Sequence, residues 1–160
     1  YKGLDLLIKS FPLILEELSN AHLVIVGEVY GEDAVYFNLI EKLELKNNVI
    51  FLNRFATNEE VELYYKAADV LALPYISATQ SGVVQIAYDM ELGAVATPVG
   101  GLSELVLNNK TGIMATDVTE RAFADAIVHY FDLDQEELVK NIREENIKYS
   151  WDALVKLILK

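Results

Sequence analysis

Apolar residues at Leu4, Leu7, Ile8, Phe11, Ile14, Leu15 and Leu18 recur every three or four positions, the spacing of one helix face, and Ser19-Asn20 closes the run. A helix over 3–18 is predicted. Pro12 lies inside it, where a missing backbone donor predicts a kink. The next apolar stretch, 22–26, is short and continuous and ends at Gly27-Glu28, the pattern of a buried strand. Tyr36, Phe37, Ile40 and Leu43 restore the helical spacing, and 49–52 reads as a second strand. A short helix over 58–67 follows, with Thr57 or Asn58 as its cap and Glu59 and Glu60 in a first turn that favours acidic residues. Beyond it the pattern predicts strands at 70–73, 94–97 and 112–115. A helix at 83–92 and terminal helices over 119–131, 134–149 and 151–159 complete the series.

Strands that alternate with helices pair in parallel through right-handed crossovers and bury their apolar runs on both faces. The fold class is therefore α/β, a doubly wound, mainly parallel sheet with helices on both faces. Ligands of such sheets collect beyond the carboxyl ends of the strands, which predicts that 27–28, 53–55, 74–82 and 98–101 converge.

The most informative of these segments is Pro74-Tyr75-Ile76-Ser77-Ala78-Thr79-Gln80-Ser81-Gly82, a loop between a strand and a helix. Backbone N–H groups and the helix dipole at such a place hold phosphate. Thr79, Gln80 and Ser81 either contact a phosphate or sugar or form an ordinary capping loop. Gly82 and Val83 either offer amides to a pyrophosphate or begin the helix. Gly100 and Gly101 let the main chain approach a ligand, or make a turn that requires positive φ. Lys2 and Arg54 supply positive charge at the mouth, or are solvated surface residues. Glu104 bonds a sugar hydroxyl or serves the dipole of a short helix, while Phe55, a lone aromatic after a strand, reads as core. Tyr64, Tyr65, Tyr88 and Tyr130 read as core-edge residues, although Tyr75 and Tyr88 also flank the loop.

Composition narrows the ligand. The 160 residues have the length of one domain, and the net charge of −12 disfavours a nucleic-acid partner while leaving room for a nucleotide held by amides. No cysteine is present, which removes disulfides and zinc-thiolate sites and favours a reducing, cytoplasmic compartment. No apolar run reaches the roughly 18 residues of a spanning helix. His22 and His129 read as structural, Glu59, Glu60 and Glu62 as a solvated helix face, and no metal-ligand spacing is found.

At these segments the chain resembles the donor-binding half of group 1 glycosyltransferases, retaining GT-B enzymes that use nucleotide sugars. The likeness rests on Tyr1-Lys2-Gly3, the run 23–27, Asn48-Val49-Ile50-Phe51 with Arg54-Phe55, and Ala68-Asp69-Val70 through Pro74. It continues in Val99-Gly100-Gly101-Leu102-Ser103-Glu104, Lys110-Thr111-Gly112 and Ser150-Trp151. It implies a Rossmann-like carboxyl-terminal domain over 1–160, read as a fragment whose acceptor-binding domain and first strand are absent. The implied ligand is a UDP- or GDP-type sugar, with the diphosphate on 79–83 and transfer to a glycan or lipid-linked acceptor. That sugar is a substrate; no metal or other cofactor is expected, and no catalytic base is assigned. Peripheral membrane association at the inner face would belong to the longer protein, and the isolated chain is expected to bind without turnover.

Two departures qualify the likeness. Registering the family's loop glycine on Gly82 puts Thr79 and Ala87 where two glutamates commonly touch sugar and ribose, and Gly93 stands where proline is frequent, which predicts a looser turn. A non-catalytic nucleotide-binding or scaffold module of the same fold would account for both missing carboxylates. A GT-B nucleotide-sugar epimerase shares the architecture, but its catalytic residues are not discernible.

Overall fold

The structure, a computed structural model, describes residues 1–79 and 81–149; Gln80, the Ser150-Trp151 landmark and the helix expected over 151–159 lie outside them. Its elements alternate as α1 (Leu4–Glu17), β1 (Leu23–Val26), α2 (Ala34–Lys42), β2 (Val49–Leu52), α3 (Asn58–Ala67) and β3 (Leu71–Leu73). There follow α4 (Gly82–Asp89), β4 (Ala94–Ala96), α5 (Leu102–Leu105), β5 (Gly112–Met114), α6 (Glu120–Phe131) and α7 (Gln135–Asn146), closed by a 3-10 turn at Ile147–Tyr149. No helix among the described residues is long and apolar enough to cross a membrane.

Every ladder is parallel. β1 pairs β2 with Leu23 opposite Val49, β3 pairs β4 with Leu71 opposite Ala94, and β4 pairs β5 with Ala94 opposite Gly112. The five strands form two ladders, β1-β2 and β3-β4-β5, and no ladder joins β1 to β3 among the described residues. One apolar core nevertheless spans both, taking in Leu23 and Val49 as well as Leu73, Val95 and Ile113. α1 packs on both α2 and α6, and α4 packs on α7. α1 passes through Pro12 unbroken, with Leu7, Ile8, Phe11 and Ile14 buried on its inner face.

Helix ends follow local chemistry. Thr57, not Asn58, caps α3: its hydroxyl accepts from Glu60 N at 3.3 Å and Glu60 returns a carboxylate to Thr57 N at 3.0 Å, a reciprocal capping box. Thr119 and Asp134 cap α6 and α7 through their side-chain oxygens alone, Thr119 accepting from Ala122 N and Asp134 from Glu136 N and Glu137 N. α4 stops at Asp89, short of the expected 92, because Glu91 turns left-handed at φ 60° and Leu92 N donates back to Ala87 O at 2.8 Å. A glutamate in that conformation is strained, and α7 secures it: Arg143 donates from Nε and Nη2 to the Glu91 carboxylate, both at 2.7 Å.

Gly93 does not loosen its turn. An added Cβ there would stand 2.5 Å from the Tyr130 hydroxyl and 2.9 Å from Leu138, so α6 and α7 close over the bare backbone. Tyr130 donates to Asp69 O at 3.1 Å, and burial pushes its hydroxyl up to about 12.

Candidate functional site

Three backbone stretches meet at the carboxyl end of β3. Ile76 N donates to Tyr1 O at 2.9 Å, and Gly3, left-handed at φ 67°, passes so close to Pro74 that a Cβ would stand 1.8 Å from its carbonyl oxygen. The chain entering α1 is thus pressed along 74–76. Lys2 Nζ donates to the Tyr75 hydroxyl at 2.8 Å and sits 4.7 Å from that ring's centroid and 5.5 Å from the Tyr1 ring, within cation–π range. Tyr75 is buried, and its hydroxyl lies 3.2 Å from Ser81 Oγ.

The third stretch is the turn after β4. Gly101 N donates to Thr79 O at 3.1 Å, and Gly100, at φ 53°, lies against Ala78 with a hypothetical Cβ only 1.6 Å from its carbonyl oxygen. Thr97 holds the two strand ends level. This fully buried residue donates from its backbone N to Leu73 O at 3.1 Å and from Oγ1 to Tyr75 O at 2.5 Å.

These contacts surround the start of α4. Ser81 is its N-cap in extended conformation, yet the hydroxyl accepts no helical N–H. The first N–H groups of a helix have no intrahelical acceptor and carry the positive end of its dipole. A Cβ on Gly82 would meet nothing within 4 Å. The start of a helix, open space beside Gly82 and an ammonium group near Ser81 together suit an anion with several oxygens.

Lys2, Thr79, Ser81, Gly82, Val83, Gly100 and Gly101 therefore belong to one cluster. Val83 is half-buried in the first turn of α4, its carbonyl 3.5 Å from the Tyr65 hydroxyl. Glu104 is exposed on α5, its backbone N donating to Gly101 O at 3.2 Å.

Arg54 pairs with Glu60: Nη1 and Nη2 donate to its two carboxylate oxygens at 2.8 and 2.6 Å. Its charge is engaged at the start of α3. Phe55, expected in the core, is 74% exposed instead, because the chain turns outward after β2 to reach the Thr57 cap. Asn53 stitches the ends of β1 and β2 together by accepting from Val29 N at 2.8 Å and donating to Asp33 at 2.6 Å. The strand ends thus gather as two hydrogen-bonded pairs. Ala87, the position of the family's second glutamate, is fully buried. Tyr88 is a core residue whose hydroxyl bonds Leu105 O at 2.7 Å and Thr111 Oγ1 at 2.6 Å.

The Arg54 pair has a pH signature. The Arg54 hydrogen bonds, then that from Thr57 N, hold the Glu60 carboxyl at about 2, below its ordinary 4.5. A depressed carboxylate stabilises the fold above its unfolded pKa and loses that contribution as pH falls through the folded one. The α3 cap is expected to persist at pH 4 and to open toward pH 2. A carboxyl carbon NMR titration of Glu60 checks this, and Arg54→Gln is expected to move the midpoint toward 4.5.

Thr97 went unread in the sequence, although a hydroxyl closing an all-apolar strand is a signal of a strand end pinned at a ligand-facing edge. The profile for glycosyl transferases group 1 matches residues 1–132. An uncharacterised glycosyltransferase of Methanocaldococcus jannaschii is 31% identical over 163 aligned positions, covering 97% of this chain and 40% of that protein. The D-inositol 3-phosphate glycosyltransferase of Corynebacterium glutamicum is 27% identical, covering 96% of this chain and 38% of its own length. Among solved structures, Anabaena HepE, determined with UDP and with UDP-glucose, superposes with a TM-score of 0.76 at 22% identity over 91% of this chain and 40% of that one. The chain thus spans about 40% of the length of these relatives. Its sequence and its parallel α/β architecture agree, and the chain belongs to the group 1 glycosyl transferases, with the fold of their GT-B members.

Proposed function

We propose that this chain is the nucleotide-sugar donor domain of a retaining glycosyltransferase. The observation that carries the reading is the meeting of the Lys2 ammonium, the open start of α4 and the Gly100-Gly101 turn in one hydrogen-bonded cluster. A donor diphosphate placed there would take amides from 82–83, with Lys2 near its charge. The sugar would leave as its anomeric C–O bond to the diphosphate breaks, the electron pair staying with the diphosphate, while an acceptor hydroxyl forms the new C–O bond and gives its proton to the departing diphosphate oxygen. Preorganised amides and a fixed cation are suited to that growing negative charge.

A hexosyl donor of the UDP or GDP type fits this reading, and the HepE complexes favour uracil as the base. The acceptor, a glycan or a lipid-linked intermediate, would be held by a further domain of a longer protein. The setting would be cytoplasmic, at the inner membrane face for a lipid-linked acceptor. The reading gives no role to a metal ion.

A second reading is favoured by Thr79 and by the buried Ala87, which leave no carboxylate at either family position. It is a nucleotide-binding module without turnover. Calorimetric titration of the complete protein with UDP, GDP and ADP, followed by a donor-hydrolysis assay, separates the two. Saturable binding with hydrolysis supports the transferase. Binding without hydrolysis or transfer supports the module, and no binding of any nucleotide overturns both.

Gly82→Ala offers a direct probe of the site. Because the new methyl meets nothing and alanine favours helix, the free domain is expected to gain about 0.5 kcal/mol, seen as a melting point raised by about 1–2 °C. Nucleotide affinity is expected to fall in the same variant, since the methyl takes space that a diphosphate must enter.

A further inference from the structure

Lys2, Tyr75 and Ser81 form a hydrogen-bonded chain. An ammonium group only donates, so the 2.8 Å contact is Lys2 donating to the Tyr75 oxygen. Tyr75 and Ser81 Oγ lie 3.2 Å apart and either hydroxyl can donate; with Lys2 already donating to its oxygen, Tyr75 is free to give its proton to Ser81, which leaves the Ser81 proton for donation onward. At an N-cap a serine hydroxyl ordinarily accepts from the second or third helical N–H. Ser81 does not, and at 7% exposure, with 5% for Tyr75, the Tyr75–Ser81 hydrogen bond is shielded from water while Lys2 reaches it from the surface.

We propose that Tyr75 is a positioning residue for the donor diphosphate: it turns Ser81 from a helix-capping acceptor into a donor and holds the Lys2 ammonium beside it. This rests on the donor-domain reading given above. A phenol is suited to the task because one oxygen accepts from the cation while its proton passes the polarity on. Phenylalanine would fill the same space and break the relay at both points. Thr97, through the Tyr75 carbonyl, fixes the backbone from which the ring projects.

The test compares Tyr75→Phe, Ser81→Ala and the double variant in the complete protein, with UDP against uridine and GDP against guanosine as probes. Tyr75→Phe is expected to weaken the nucleoside diphosphate about five- to tenfold and to leave the nucleoside unchanged. Ser81→Ala is expected to do the same, and the double variant to be little worse than either, because both break one relay. In turnover, kcat/KM for the donor is expected to fall further than KM rises, since diphosphate charge grows in the transition state.

Equal losses for diphosphate and nucleoside would make Tyr75 merely structural and overturn the proposal. So would full additivity in the double variant. An unchanged Tyr75→Phe beside a weakened Lys2→Met would overturn the proposal and leave the donor-domain reading standing. If the wild-type protein binds none of these nucleotides, the donor-domain reading itself falls. Should Tyr75→Phe fail to fold by circular dichroism, Ser81→Ala decides: a loss confined to the diphosphate supports the relay, and no loss overturns it.

Discussion

Gly100→Ala is expected to cost the domain about 2–4 kcal/mol and to abolish nucleotide binding even where the fold survives. Two penalties add at this position. The φ of 53° is left-handed, which any residue with a Cβ adopts at a cost of about 1–2 kcal/mol. The new carbon would also stand 1.6 Å from Ala78 O and 2.7 Å from Ala78 C, against backbone that has no rotamer to change. One of the two chains must move, and with it the Gly101 N to Thr79 O hydrogen bond that joins the turn to the loop. Thermal melts are expected to show a loss of about 5–15 °C for a domain of this size. For stability alone, Gly82→Ala is the matched control, a glycine in the same cluster with open space around it.

Lys2→Met is expected to reverse that balance, leaving stability nearly intact while lowering kcat/KM of the complete protein about 10²- to 10³-fold. The side chain is largely exposed, so the loss to the fold is confined to its hydrogen bond with Tyr75 and its stacking on two rings. Stacking at an exposed site is worth about 0.5–1 kcal/mol. The loss to the reaction is larger, because an ammonium group beside a leaving diphosphate acts most strongly when that group carries its full charge. Methionine keeps most of the apolar stem and removes the charge together with the hydrogen bond to Tyr75. A donor assay read beside a melting curve checks both halves, and parallel losses of stability and activity would defeat the expectation.

The alternation of helix and strand was legible because each apolar run had one period, and strand positions fell within a residue of expectation. What the pattern could not supply was contact between distant segments. Nothing local marks Gly3 as lying on Pro74, or Gly100 on Ala78; the glycines announce only that an unusual backbone is permitted. Arg54 shows a local partner that its charge alone did not announce. As a cation at a strand end it reads as a ligand for anions, yet Glu60, six residues on, is placed by the capping box to take both guanidinium nitrogens. Phe55 misled because exposure is decided by the direction the chain takes after β2, which no single aromatic residue encodes. The end of α4 was misplaced because a glutamate, not a glycine, makes the left-handed turn, and its support comes from Arg143, 52 residues away.

The interruption of the sheet between β1 and β3 bears on how copies of this chain behave toward one another. Each of those strands has one edge that no ladder uses among the described residues, and a free strand edge is a template for any extended segment that meets it. Val24 and Ile50 add apolar area on the β1-β2 ladder, 46% and 49% exposed. Against that adhesion stands a net charge of −12, whose mutual repulsion keeps molecules apart in dilute salt. The two tendencies respond differently to solvent. Salt screens the repulsion, and acid near the isoelectric point of about 4.5 removes it, while the edge hydrogen bonds remain. Colloidal stability of the isolated chain is therefore set by its charge, and the sheet that builds the fold is also the surface that charge must guard.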